Sequence, residues 1–201
     1  MNALLEQTKN HCQQLLAQSR CNELAFHNSQ HTKEVFNSAK KIGVYVNLPK
    51  DDLEIVLLAA LFHDTGNMDC FKGHENISAQ KASEYLSKID FDTNKIEKVV
   101  KCILATKMPQ TPTNLLEEVI CDADLAHLGK ENFISKNRLL REEWSEHLKM
   151  CFSNKEWVKL NVEFLECHRY FTTYGKKMLQ PVKEKNLRSL KQQLSEFYKA
   201  S

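Results

Sequence analysis

The sequence predicts an all-α protein, and three observations support that fold class. Only 5 glycines and 4 prolines occur among the 201 residues, so few positions interrupt a regular helix. Apolar residues recur three and four positions apart along most of the chain, which is the spacing that gives a helix one buried face. The alternation of apolar and polar residues that is typical of a half-buried strand is hard to find. We therefore expect a helical bundle.

The apolar pattern and the turn residues predict where the helices lie. Proline and glycine end several of the periodic segments, and acidic or small polar residues precede others. Asp51-x-x-Glu54 resembles a capping box, Gly66 resembles a helix stop, and Asp92 resembles an N-cap. We expect helices over residues 4–19, 28–46, 51–63, 76–89, 114–128, 131–150, 155–171 and 182–198, and one more that begins at residue 93 and is broken by Pro109 and Pro112.

The composition argues against several functional classes. The net charge is only +2, so neither a nucleic-acid polymer nor a membrane surface is an expected partner. No apolar run approaches the roughly 20 residues that span a bilayer, and residues 1–20 lack the apolar core of a signal peptide. The seven cysteines form no Cys-x-x-Cys pair, which favours reduced thiols. We expect a cytoplasmic protein without a membrane anchor.

The third helix has an unusual pattern of its own. Apolar residues from Leu53 to Phe62 cover all of its sides, which predicts a central, buried helix. It ends in two adjacent polar residues, His63 and Asp64. Burying an imidazole and a carboxylate without partners is costly, but both are good metal ligands.

Other helices supply further candidate ligands next to apolar stripes. They are His31 on the second helix and Asp122 and Asp124 on the sixth. A single histidine on an apolar face is more often a satisfied core residue than a ligand. The combination instead favours a mixed nitrogen and oxygen site for a divalent ion, namely Mn, Fe, Ni, Mg, Co or Zn. Helical geometry does not decide between Asp122 and Asp124, which flank the same stripe on opposite sides.

The ordered set His31, His63-Asp64 and Asp124 resembles the signature of the HD-domain superfamily of metal-dependent phosphohydrolases. The flanks resemble small bacterial predicted members of that superfamily, and one element is similar to Tyr-His-Asn-x-x-His of cyclic-nucleotide phosphodiesterases. Trp144 departs from that subgroup, which more often has tyrosine there. The segments that carry the resemblance are Phe26-His27-Asn28-x-x-His31, Ala60-Leu61-Phe62-His63-Asp64, Glu75-Asn76-Ile77-Ser78-Ala79, Ile103-Leu104-Ala105-Thr106-Lys107, Asp122-Ala123-Asp124-Leu125-Ala126-His127-Leu128-Gly129 and Leu140-Arg141-Glu142-Glu143-Trp144.

The resemblance covers about residues 24–175 and implies one HD-type domain over residues 1–201. The C-terminal helix at about 182–199 is then peripheral. The implied metal ligands are His31, His63, Asp64 and Asp124. The family pattern favours Asp124 over Asp122, because the ligand aspartate is typically followed by two residues and then a polar one.

Three residues are candidates for direct roles in the reaction. Asp64 would bind the metal and also orient water. By resemblance to the phosphodiesterases His27 would be the general acid, although it also fits a helix start capped by Asn28 or Ser29. Glu75 would contact water or a second metal, or it would only interact favourably with the helix dipole as an acidic residue in the first turn. An ordinary position at a helix N-terminus is also the interpretation that we favour for His74.

Lys107 and Arg141 are candidate ligands for a substrate phosphate. A lysine at a helix C-terminus and an arginine in a surface ion pair are the ordinary alternatives for these two residues.

The resemblance implies a phosphohydrolase that acts on a nucleotide or another small phosphate ester. A nucleotide-binding module without turnover and an HD-type di-iron oxygenase are the alternatives, and only His74 and Glu75 offer extra ligands for the latter. A homodimer through the C-terminal helices is possible, but no coiled-coil pattern supports it.

Overall fold

The computed structural model describes residues 3–199, and every regular element in that range is helical, which confirms the all-α prediction. Short 3-10 segments lie at Arg20–Asn22, Thr65–Met68 and Leu125–Gly129, and a π-helical turn lies at Gly175–Leu179. The α-helices of the described range are α1 (Ala3–Ala17), α2 (Ser29–Tyr45), α3 (Lys50–Phe62), α4 (His74–Lys88), α5 (Thr93–Ala105), α6 (Leu115–Asp124), α7 (Phe133–His147), α8 (Asn154–Cys167) and α9 (Gln180–Lys199).

The chain forms two compact units, one that ends at Asp124 and one that begins at Leu125. Helices α1–α6 belong to the first unit and α7–α9 to the second. That both units act as one HD-type domain stays a prediction. Within residues 3–199, no helix combines the length and the apolar character that a membrane span requires.

Helix α3 is the centre of the first unit. Every residue from Ile55 to Phe62 is buried, and the helix packs against α1, α2, α4, α5 and α6. This confirms the central buried helix that its all-round apolar sequence predicts. Burial of each large aliphatic or aromatic side chain contributes about 1.5–3 kcal/mol, so α3 provides a stable base for the polar pair at its end.

The start of α3 differs from the prediction. The capping box at Asp51 and Glu54 is wrong, because Pro49 is the N-cap residue and no side chain caps the helix. The fixed φ of proline already favours a helix start. Asp51 instead pairs with Lys95 of α5 at 3.1 Å. The predicted cap of α5 is confirmed, since Asp92 Oδ1 accepts a hydrogen bond from the Lys95 backbone N–H at 2.9 Å.

Gly66 is needed for a close approach and does not end α3. The helix ends at Phe62, and Gly66 lies inside the 3-10 segment Thr65–Met68 without a left-handed φ. A Cβ atom on Gly66 would lie 2.0 Å from the carbonyl oxygen of His74. The Gly66 N–H donates to Ser78 Oγ at 2.8 Å. The chain after α3 therefore lies directly against the first turns of α4.

Two helix boundaries move in ways that affect the site. Helix α4 begins at His74, two residues before the predicted start, after Gly73 with a left-handed φ of 80°. Helix α6 ends at Asp124, and the predicted continuation to Leu128 is a 3-10 segment. His74 and Glu75 therefore open α4, and Asp124 is the last residue of α6.

The second unit has its own apolar core and a buried polar network. Leu128, Phe133, Val158, Val162, Leu165 and Leu190 form the core, to which Leu190 brings α9. Asn137 Oδ1 accepts a hydrogen bond from Trp157 Nε1 at 2.7 Å, which joins α7 to α8. Ser153 and Glu156 form a capping box at the start of α8.

Candidate metal centre

The end of α3 fixes the orientation of the His63 ring. The His63 backbone N–H still donates to the Ala59 carbonyl, so the residue continues the helical path. Its Nδ1 lies 3.0 Å from the carbonyl oxygen of Ala60. Because a carbonyl only accepts, Nδ1 carries the hydrogen, and the ring presents Nε2 to its other neighbours. A histidine that ligates a metal is commonly held through its second nitrogen in this way.

Helices α2, α3 and α6 bring four of the predicted side chains together. His31 Nε2 lies 3.4 Å from Asp64 Oδ2 and 3.4 Å from Asp124 Oδ1. His63 Nε2 lies 3.2 Å from Asp64 Oδ2 and 3.6 Å from Asp124 Oδ1. Asn28 supports this arrangement, because its Oδ1 accepts from the backbone N–H groups of Gln30 and His31 and so caps α2.

These separations suit a shared divalent ion. Ligand bonds of about 2.0–2.2 Å place neighbouring ligand atoms of one ion about 2.8–3.6 Å apart. Among the described residues, His31, His63 and Asp124 offer ligand atoms that all lie within 4.8 Å of one another. Asp64 Oδ2 contacts both histidines of this set.

Buried atoms of the cluster also lack ordinary partners. His63 Nε2, Asp64 Oδ2 and Glu75 Oε2 are inaccessible to solvent and make no aligned hydrogen bond with any described residue. Leaving such groups unsatisfied costs about 1–3 kcal/mol each. A cation coordinated by His63 Nε2 and Asp64 Oδ2 would satisfy these two atoms, so the donor set fits a divalent metal.

The carboxylates and the imidazoles of the cluster shift the pKa values of one another. Burial alone lowers the pKa of His63, but the carboxylates of Asp64 and Asp124 outweigh it and hold that pKa well above its usual range. Burial raises the pKa of Asp64, yet His63 and His74 together hold it well below the usual range. The pKa of Asp124 is lowered too, by His31 and His63 against the effect of burial. The carboxylates thus stay ionised and attract a positive charge.

His74 is a member of this cluster, although the sequence offered it only as an extra ligand for a di-iron site. Its Nε2 lies 3.3 Å from Asp64 Oδ1, and its Nδ1 lies 2.8 Å from the carbonyl oxygen of Phe71. Burial lowers its pKa, but the bond to Asp64 dominates and raises it to about 9. The interpretation of His74 as an ordinary helix N-terminal residue is therefore incomplete. The start of α4 lies against the chain at Gly66, a close approach that sequence patterns do not reveal.

Glu75 lies beside His74 at the start of α4. Its side chain is buried, and its Oε1 lies 3.9 Å from His74 Nε2. Its position next to the cluster is compatible with both of its sequence-based interpretations, and its role stays a prediction.

Gln110 also contacts the cluster, and no sequence motif pointed to it. Its Nε2 donates to Asp124 Oδ2 at 3.4 Å from the segment between α5 and α6. Of the two aspartates at the end of α6, Asp124 is the one that faces His31 and His63, as the family pattern favoured. Asp122 is fully buried and is not part of the three-residue group.

His27 precedes the N-cap residue of α2 and packs against the cluster. Its ring stands edge-on to that of His31, with 5.7 Å between the ring centroids. Asn28 is the N-cap residue of α2, so His27 does lie at a helix start that is capped by Asn28. The position also leaves His27 near the cluster, and its acid role stays a prediction.

One of the two phosphate candidates lies in each unit. Lys107 is exposed and follows Thr106, the C-cap residue of α5. Arg141 belongs to the second unit, where it donates to Asn154 Oδ1 at 2.8 Å and to the Phe152 carbonyl. A phosphate-binding role for either residue stays a prediction.

Comparison with known proteins gives one family match. The family profile described as HD domain matches residues 28–129, about half of the chain. The matched range contains His31, His63, Asp64 and Asp124, together with His74 and Gln110. No curated protein and no solved structure matches the chain.

Proposed function

Because this chain belongs to the HD domain family, we propose that it is a metal-dependent phosphohydrolase. Its substrate would be a nucleotide or another small phosphate ester. The observation that carries the proposal is that His31 and His63 each contact both Asp64 and Asp124, at 3.2–3.6 Å. That geometry and the unsatisfied buried atoms support a metal site, and the family supports hydrolysis as its use.

The proposed metal ligands are His31 Nε2, His63 Nε2 and carboxylate oxygens of Asp64 and Asp124. A divalent ion held there supplies Lewis acidity, which lowers the pKa of a coordinated water and polarises a phosphoryl oxygen. The protein's own contribution is to hold the ligands rigidly. Ala60 orients the His63 ring through its carbonyl, and the buried helix α3 limits movement of the pair.

We assign the proton transfers to two residues at the edge of the cluster. Glu75 has a buried oxygen, Oε2, without a hydrogen-bond partner among the described residues. That oxygen can accept a proton or a hydrogen bond from an attacking water. His27 is half-buried beside His31 and would donate a proton to the leaving oxygen of the ester.

The direct test is hydrolysis after metal exchange. The protein is stripped with a chelator, reloaded with Mn²⁺ or Co²⁺, and assayed on a panel of nucleotides, phosphomonoesters and phosphodiesters. We expect release of phosphate or nucleoside product by the wild type and at least a 100-fold loss in Asp64→Ala. Absence of turnover across the panel, despite bound metal, would contradict the proposal and favour a binding module.

A site for two ions is the second candidate arrangement. The two oxygens of Asp64 face different partners, since Oδ2 contacts His31 and His63 while Oδ1 contacts His74. Glu75 offers a further carboxylate beside His74. A bridging Asp64 would make the di-iron oxygenase alternative chemically reasonable. Elemental analysis separates the two, because one ion per chain opposes the bridged site and two ions support it.

A further inference from the structure

We infer that Gln110 is a positioning residue that orients Asp124 for metal binding, an inference that rests on the proposed function. The two oxygens of Asp124 have separate partners. Oδ1 faces His31 and His63, whereas Oδ2 accepts a hydrogen bond from Gln110 Nε2 at 3.4 Å. Because the terminal torsion of an aspartate is broad, holding one oxygen restricts where the other one points.

The segment that carries Gln110 is itself held at its C-terminal end. Glu117 of α6 accepts three hydrogen bonds there through Oε2 and Oε1. The donors are the backbone N–H and the hydroxyl of Thr113, at 2.7 and 2.9 Å, and Nδ2 of Asn114, at 2.7 Å. Glu117 is buried, so these bonds are shielded from competing water. The segment that carries Gln110 is therefore anchored to α6 at Thr113 and Asn114.

The other end of the Gln110 amide gives a second, independent observation. Its Oε1 is inaccessible to solvent and makes no hydrogen bond with any described residue. An ordered water would satisfy the vacant acceptor. Gln110 thus contacts Asp124 through its donor without being a ligand.

A hydrogen-bond partner of a metal ligand determines how well that ligand is oriented before the ion binds. Removing one typically weakens metal affinity 10–100-fold, because the freed carboxylate must be ordered at the moment of binding. Gln110→Met keeps the length of the side chain and removes both the donor and the acceptor. Gln80 provides a matched control, since its Nε2 donates to Glu84 Oε1 at 2.8 Å on the exposed face of α4.

The experiment is calorimetric titration of the metal-free protein with Mn²⁺. We expect a dissociation constant about tenfold higher for Gln110→Met and one within about twofold of the wild type for Gln80→Met. The midpoint of chemical denaturation should be unchanged in both, because a merely structural defect would lower it. Should Gln110→Met fold poorly, Gln110→Ala gives the same comparison, since the segment is partly exposed.

Two results would overturn the inference, and they are distinguishable. Wild-type affinity in a folded Gln110 variant contradicts the positioning role and leaves the proposed function standing. Absence of Mn²⁺ binding by the wild type contradicts both.

Discussion

His74 Nε2 lies 3.3 Å from Asp64 Oδ1, on the side of the carboxylate opposite to the two histidines that contact Oδ2. Asp64 is therefore held between α4 and the other helices of the cluster. Gly66 makes this possible, because its backbone touches the first residue of α4.

We predict that His74→Ala weakens Mn²⁺ binding about tenfold, since Asp64 loses the partner of one oxygen. Calorimetric titration of the metal-free variant measures the change. His147→Ala, near the end of α7 in the second unit, serves as the control and should match the wild type. Equal affinity of His74→Ala and the wild type would show that His74 neither orients Asp64 nor binds an ion.

Gly66→Ala should destabilise the fold through a steric clash. The added Cβ would lie 2.0 Å from the His74 carbonyl oxygen, so one backbone segment must move, at a cost of about 3 kcal/mol. Gly73→Ala is the matched control. Its φ of 80° is unfavourable for alanine, but the added Cβ would meet only Asn76 Nδ2, at 3.9 Å and without a clash, so we expect a cost of about 1 kcal/mol. Urea denaturation compares the two, and equal losses would argue against the close approach.

The aspartates at the end of α6 should differ in their response to metal. Saturating Mn²⁺ stabilises a protein that binds it in the folded state, by about 2.7 kcal/mol at 100 times the dissociation constant. We expect this stabilisation to disappear in Asp124→Asn and to persist in Asp122→Asn, because only Asp124 faces His31 and His63. The difference in melting temperature with and without Mn²⁺ reports it. The reverse pattern would assign the ligand to Asp122.

Lys183 should make the stability of the fold rise with pH above about 8. Its side chain is buried, with its ammonium donating to the His168 carbonyl. Burial and the nearby Arg169 lower its pKa to about 8, against the opposing effect of Glu184. Between pH 8 and the ordinary lysine pKa of about 10.4, the unfolded chain binds more protons than the folded one. Raising the pH through that window therefore favours folding.

The measurement is a difference between Lys183→Met and the wild type. Across pH 8–10, the free energy of unfolding of the wild type should rise by on the order of 1 kcal/mol relative to that of Lys183→Met. Lys185→Met, an exposed lysine on the same helix, should show the pH dependence of the wild type. A constant difference between Lys183→Met and the wild type over this range would contradict the lowered pKa.

Local patterns were sufficient for the centre of the first unit. The apolar sequence of α3 predicted a buried helix, and its terminal His63 and Asp64 predicted a polar cluster. Both predictions depend only on residues that are close together in the sequence. His31, Asp122 and Asp124 could be added because each lies beside an apolar stripe of its helix, and the order of the motifs resembles a known family. The choice between Asp122 and Asp124 depended on that resemblance, since the periodicity of a helix treats them alike.

Contacts between distant segments were beyond those patterns. His74 meets Asp64 where Gly66 lets two backbone segments touch, and Gln110 contacts Asp124 from a segment whose end is held by Glu117. Neither glutamine nor a helix-opening histidine has a distinctive local spacing. The capping box at Asp51 is wrong because Pro49 is the N-cap residue, and Asp51 pairs with Lys95 of another helix.

The most direct test of the metal centre is equilibrium dialysis against Mn²⁺ followed by elemental analysis. We predict at least one ion per wild-type chain and near-complete loss in His63→Ala and Asp64→Ala, provided that circular dichroism shows both variants to be helical. Retention of wild-type metal content by these folded variants would contradict the account, because no ion could then lie between α2, α3 and α6.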